Sequence, residues 1–133
     1  MNSKTIDEIL IKIKAIEFRE DFDMIVGIAR GGIFPAALLQ QKLMIDFEIL
    51  WLNFRNEKQQ PQYDVPVLLK PVNFEFKNKK ILLVDDRSRS GKTFDKGKAL
   101  LNGAAFIKTL VVNGKADYSV FDEECFTFPW KLV

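Results

Sequence analysis

The spacing of apolar positions changes several times along the chain, and each change marks an element. Between residues 4 and 17, Ile6, Ile9, Leu10, Ile13 and Ile16 recur at helical spacing, which lines them along one side of a helix. Ser3 and Thr5 stand where a cap is needed. MIVGIA, 24–29, is a continuous apolar run closed by Arg30-Gly31-Gly32, and the PAALLQQKL that follows has Pro35 placed for a first helical turn. DFEILWLNF, 46–54, predicts a second strand. The next stretch, 55–73, holds three prolines among polar residues and predicts a mobile excursion, with a short strand over Val67–Leu69. ILLVDD, 81–86, predicts a third strand, TFDKGKALLNGA a helix ending near Gly103, and FIKTLVVN a fourth strand. The tail from Asp117 to Val133 predicts an added edge strand. No internal repeat is visible.

Strands that read as unbroken apolar runs, alternating with helices, predict an α/β fold: a parallel sheet flanked by helices on both faces. In such sheets ligands bind beyond the carboxyl ends of the strands. Both glycine-containing loops, 30–32 and 88–93, fall at that edge.

Composition narrows the chemistry. A chain of 133 residues, 47% apolar and 29% charged, has room for one domain spanning 1–133. Twenty Lys plus Arg against 18 Asp plus Glu leave a net charge of +2, which gives no global field for nucleic acid or an acidic membrane. Any polyanion is met locally. The single cysteine, Cys125, excludes an internal disulfide. The absence of histidine excludes Ser-His and Cys-His mechanisms and removes the usual transition-metal ligand. The opening MNSKTIDEILIKIK interleaves charge with apolar residues, so neither a signal peptide nor a spanning helix is expected, and the expected location is cytoplasmic.

The stretch ILLVDDRSRSGKTF, 81–94, carries the strongest chemistry. Gly91-Lys92-Thr93 before a helix matches the second half of a nucleotide-hydrolase P-loop, but Asp86 occupies the place of its leading glycine. That reading fails on the first half. Split by chemistry, Ser88, Ser90, Gly91 and Thr93 offer hydroxyls and backbone N–H groups at a helix N-terminus, suited to a phosphate monoester. Asp85 and Asp86, one step earlier, are acceptors for the two O–H donors of a vicinal diol. A ribose 5-phosphate has that shape.

LLVDDRSRSGKT resembles the phosphoribosyl-pyrophosphate signature of type I phosphoribosyltransferases, and GIARGGIFPAALL resembles the pyrophosphate loop and following helix of their purine-salvage branch. The resemblance covers the chain from about Met24 onward. It implies a Rossmann-like parallel sheet with a minimal hood formed by 114–133, and transfer of a phosphoribosyl group from phosphoribosyl pyrophosphate to a nucleobase. It implies that Asp85 and Asp86 hold the ribose hydroxyls, and that Ser88, Arg89, Ser90, Gly91, Lys92 and Thr93 hold the 5-phosphate. Ala29, Arg30, Gly31 and Gly32 would hold the pyrophosphate, with a non-proline cis peptide at Ala29-Arg30. Mg²⁺ would be held through substrate, with Asp85 or Asp86 reaching it through water, and Arg30 would neutralise the leaving group. The excursion at 55–73, including Tyr63, would close over the site.

Phe128-Pro129-Trp130 resembles the segment that stacks on a purine, and Lys115 the lysine that donates to its 6-oxo group. Trp130 is otherwise edge packing and Lys115 a surface lysine. The departure is Arg89, where the 6-oxopurine enzymes usually place an aspartate to manage a proton, a role arginine cannot fill. Another acid such as Asp117 or Glu57 takes that work, or the base differs, or the domain binds without transferring, as a sensor. Trp51 and Phe54 are candidates for a homodimer surface.

Overall fold

The computed structural model describes residues 2–53 and 66–132. Phe54, Glu57 and Tyr63, and with them most of the expected excursion, lie outside the described residues. The elements run β1 (Asn2–Ser3), α1 (Ile6–Ala15), β2 (Met24–Ala29), α2 (Ile33–Leu43), β3 (Asp46–Asn53), β4 (Val67–Leu68), β5 (Lys80–Ser88), α3 (Lys92–Leu100), β6 (Phe106–Gly114), β7 (Tyr118–Phe121) and β8 (Phe126–Thr127).

Six strands form one sheet in the order β4-β3-β2-β5-β6-β7. All neighbours are parallel except the short edge strand β4, which runs antiparallel to β3. This is the expected fold class, a mostly parallel α/β sheet flanked by three helices. Every residue of β2 is buried, as a central strand covered on both faces requires. Alternation splits the core in two. Ile25, Leu82, Val84 and Leu110 face one way and meet Ile9 and Ile13 of α1 and Ala36 and Leu39 of α2. Val26, Ile28, Ile81, Leu83 and Val111 face the other and meet Phe94 and Leu101 at the α3 side.

The chain leaves β2 toward β3 on one side and returns to β5 on the other side of β2. The order therefore reverses between β2 and β5, which opens a crevice beyond their carboxyl ends.

Three differences from the sequence expectations bear on the site. Helix α1 is shorter than 4–17: Thr5 caps it in a reciprocal box with Glu8, and Ile16 is already extended. Strand β5 does not stop at Asp86 but continues to Ser88, because Arg87 and Ser88 still pair with Asn113 and Gly114 of β6. The N-terminus also forms a strand. Asn2–Ser3 pairs in parallel with Phe126–Thr127, so the first residues fasten the tail to the body.

Candidate active site

The crevice is built from the ends of β2 and β5. At β2 the Ala29-Arg30 peptide is cis, and Gly31 and Gly32 turn the chain into α2. A Cβ built at Gly31 would stand 2.5 Å from Asp86 Oδ2, so the loop backbone lies directly against that carboxylate. The two sequence motifs are in contact through Gly31 and Asp86, 55 residues apart (86 − 31).

Asp85 and Asp86 are both buried, at 9% and 7% exposure. Asp86 N–H donates to Asp85 Oδ1 at 2.8 Å. Burial first, and the neighbouring Asp86 charge second, push the Asp85 carboxyl well above the usual carboxylate range. Asp86 has a cation of its own, Lys131 of the tail, with Nζ 3.4 Å from Oδ2. Nothing in the sequence FPWKLV signals which strand end Lys131 reaches.

The loop after β5 is polar and concave, lined by Arg87, Ser88, Arg89, Ser90, Gly91, Lys92 and Thr93. Gly91 sits at the N-cap of α3 with φ 81°, a left-handed conformation that glycine adopts without strain. Ser90 Oγ accepts from Lys92 N–H at 3.3 Å. The first turn of α3, from Lys92, forms part of the wall of the concavity, the end of a helix that favours an anion.

Arg87 lies within β5, beyond the strand end expected from the sequence. Its guanidinium donates to the Phe126 carbonyl at 3.2 Å and lies 5.1 Å over the Phe128 ring. Arg89 also reaches the tail: Nη1 is 3.3 Å from Asp122 Oδ1 and Nη2 donates to the Glu123 carbonyl. Lys115 Nζ meets the other oxygen of Asp122 at 2.9 Å. Two cations hold the Asp122 carboxyl below its usual range, chiefly through the hydrogen bond from Lys115.

Two expectations about the base side change. Asp117 is tied to β6: its Oδ2 accepts from Thr109 N–H and Oγ1 at 2.8 and 3.1 Å. Thr109 is level with Leu83, below the loop edge. Trp130 does not present a bare ring. It is stacked with Phe34 at 5.2 Å and 16° and with Phe128 at 5.0 Å and 7°, so packing within the protein occupies the surface expected for a base.

Paired acids in a crevice, a phosphate-shaped helix N-terminus and a glycine loop touching the acids form one arrangement, and comparison with known proteins agrees with it. Residues 3–132 match the phosphoribosyl transferase domain family. The chain belongs to that family. The purine phosphoribosyltransferase from Pyrococcus horikoshii superposes with a TM-score of 0.81 at 30% identity, over 97% of this chain and 93% of that one. The hypoxanthine phosphoribosyltransferase from Trypanosoma cruzi superposes with a TM-score of 0.68 over 90% of this chain and 78% of that one, and at 17% identity shows the shared fold. An orotate phosphoribosyltransferase from Sulfurisphaera tokodaii is 32% identical over 112 residues, 83% of this chain and 51% of that protein. The chain spans about half the length of this curated relative. Among the described residues no helix of this phosphoribosyltransferase domain is long and apolar enough to cross a membrane.

Proposed function

We propose that this domain transfers the 5-phosphoribosyl group of phosphoribosyl pyrophosphate to a nucleobase, a 6-oxopurine, releasing pyrophosphate. The observation that carries the reading is the contact of Gly31 with Asp86, which joins the pyrophosphate-type loop to the diol-type acids at the point where the strand order reverses. Asp85 and Asp86 accept the ribose hydroxyls. The N–H groups and hydroxyls of 88–93 take the 5-phosphate, and Arg30 with the backbone of Ala29 to Gly32 takes the pyrophosphate.

In the reaction the bond from C1 of the sugar to pyrophosphate breaks, a bond from C1 to a ring nitrogen of the base forms, and the nitrogen loses its proton. The sugar passes through an oxocarbenium-like state, so charge gathering on the leaving group must be met by fixed cations. Arg30, exposed at the end of β2, is the residue we assign to that role. The donor set also fits Mg²⁺, a hard cation that commonly uses one or two carboxylates together with substrate phosphates. Asp85 and Asp86 are such a pair, and burial leaves Asp85 in want of a positive or O–H partner. The ion would be held mainly by substrate oxygens and would add positive charge at the leaving pyrophosphate.

On the base side, Lys115 supplies a donor, and Phe34, the exposed outer ring of the stack with Trp130, supplies an apolar surface. The resemblance to a purine phosphoribosyltransferase at 30% identity supports a purine acceptor, and the 32% identical orotate enzyme keeps a pyrimidine in the test. A second reading, a non-catalytic sensor of the sugar phosphate, is favoured by Arg89 standing where a proton acceptor is expected. A homodimer through the Trp51 face completes the proposal, and light scattering checks it.

Pyrophosphate release with Mg²⁺ and phosphoribosyl pyrophosphate is measured across guanine, hypoxanthine, xanthine, adenine, uracil and orotate. Release with one 6-oxopurine, matched by its monophosphate, is the expected result. Silence with all six, alongside measurable sugar-phosphate binding, selects the sensor.

A further inference from the structure

The tail after β7 is fixed at two points. Asn2–Ser3 pairs with Phe126–Thr127, and Lys4 N–H donates to the Thr127 carbonyl at 3.3 Å. Farther on, Trp130 stacks on the buried Phe128 and on Phe34. Phe34 belongs to the first turn of α2, directly after the glycine loop 30–32. One residue beyond Trp130, Lys131 N–H closes a turn onto the Phe128 carbonyl at 3.2 Å. The backbone that carries Lys131 is thus held beside that loop. Its side chain reaches back to Asp86: Nζ lies 3.4 Å from Oδ2, the same oxygen that a Cβ at Gly31 would meet at 2.5 Å. One carboxylate atom therefore joins the end of β5, the glycine loop and the tail. The Lys131 side chain is 27% exposed and that of Asp86 11%, so the ammonium can be reached while the carboxylate is enclosed. An ammonium has three donors; Asp86 engages one, which leaves two for ligand oxygens among the described residues.

We propose that Lys131 is a tethered cation for the pyrophosphate of bound phosphoribosyl pyrophosphate, and that it carries part of the charge neutralisation otherwise left to Mg²⁺. The inference rests on the transferase reading and adds a catalytic residue to it. Neutralising a buried carboxylate is one use of such a lysine. That use alone does not fix its direction, since a counter-ion can approach Asp86 from any side, whereas this one shares the oxygen that abuts the glycine loop.

As the bond from C1 to the leaving oxygen breaks, its electron pair stays on the pyrophosphate. Lys131 donates a charge-assisted hydrogen bond to that group and keeps its own proton. A cation already held by Asp86 and the stacked tail needs no reorganisation at that moment. The consequence concerns the metal. Two carboxylates repel a polyanion unless a cation stands between them, and a divalent ion bound to carboxylate and phosphate together can serve both. With Lys131 in place, binding of the sugar phosphate keeps a part that is independent of metal.

The test is calorimetry with phosphoribosyl pyrophosphate and with ribose 5-phosphate, each in Mg²⁺ and in EDTA, on wild type, Lys131→Met and Lys131→Arg, with melting temperatures for all three. Wild type is expected to bind phosphoribosyl pyrophosphate in EDTA within about tenfold of its affinity in Mg²⁺. Lys131→Met is expected to widen that gap by a further factor of about ten, while ribose 5-phosphate, which lacks the pyrophosphate, stays within about threefold of wild type. Lys131→Arg keeps the charge and is expected to restore most of the loss. Equal losses for both sugar phosphates would mean that Lys131 only positions Asp86, and a wild type that loses all binding in EDTA would mean that the metal does this work alone. Either result overturns the inference, and the second does so even if Lys131→Met fails to fold. Pyrophosphate release by the wild type with Mg²⁺ and a base still upholds the transferase reading in both cases; its absence with every base overturns that reading, and with it the catalytic role of Lys131.

Discussion

Replacing Gly31 by alanine tests whether the two loops form one site. The added methyl carbon would stand 2.5 Å from Asp86 Oδ2, whereas carbon in ordinary contact stands at about 3.5 Å, so the carboxylate must retreat by roughly 1 Å. Asp86 has little freedom to turn away, since it is 7% exposed and pairs with Lys131. Misplacement of a positioned group by about 1 Å costs on the order of 100-fold in rate, or roughly 2.7 kcal/mol of transition-state stabilisation. The expected result is therefore a loss of about 100-fold in kcat/KM, with sugar-phosphate affinity reduced and the fold intact by circular dichroism. Gly91→Ala is the comparison. Nothing lies within 4 Å of its Cβ, but φ is 81°, so its cost is conformational, about 1 kcal/mol in stability. Pyrophosphate release and thermal melting on both variants separate the two mechanisms. A Gly31→Ala enzyme within about threefold of wild type would refute the argument that the loop positions Asp86.

Three further outcomes follow from particular contacts. Asp85→Asn is expected to weaken sugar-phosphate binding while raising the melting temperature at neutral pH: the folded state raises this carboxyl's pKa, so its stabilising effect is lost as pH rises through that value, and the amide removes the cost. Lower stability together with unchanged affinity would sink the diol assignment. Tyr118 is pushed above its usual range by burial first and by its hydrogen bond to Glu20 second, so stability should fall as pH rises past 10, and Tyr118→Phe should flatten that alkaline limb in pH-dependent melting. Gly114→Ala should be the most disruptive glycine change of the β5–β6 edge, since it meets the Ser88 carbonyl and carries φ 139°; normal expression and melting would show that the edge yields.

What the sequence made legible is local. MIVGIA, ILLVDD and FIKTLVVN each become strands because their apolar runs need burial on both faces, and each boundary error is set by a neighbour: β5 runs on through Arg87 and Ser88 only because β6 supplies Asn113 and Gly114 beside them. The two loops were readable as motifs because glycine, hydroxyl and carboxylate side chains act there within a few residues. The tail was not. Asn2–Ser3 has no periodicity to announce a strand, and its partner at Phe126–Thr127 lies at the far end of the chain. Lys131, Arg87, Asn113 and Asp122 acquire their roles only from that closure, which brings the tail across the carboxyl ends of β5 and β6 and sets Lys131 on Asp86 and Asp122 on Arg89. The same closure accounts for Arg89. In isolation it reads as a missing acid, whereas in the fold it is the partner of an acid supplied from 33 residues downstream. The acids and the two glycine loops lie in short contiguous stretches, whereas the contacts of the tail with β5 and β6 join residues far apart in the chain, which is why the first are legible in the sequence and the second need the fold.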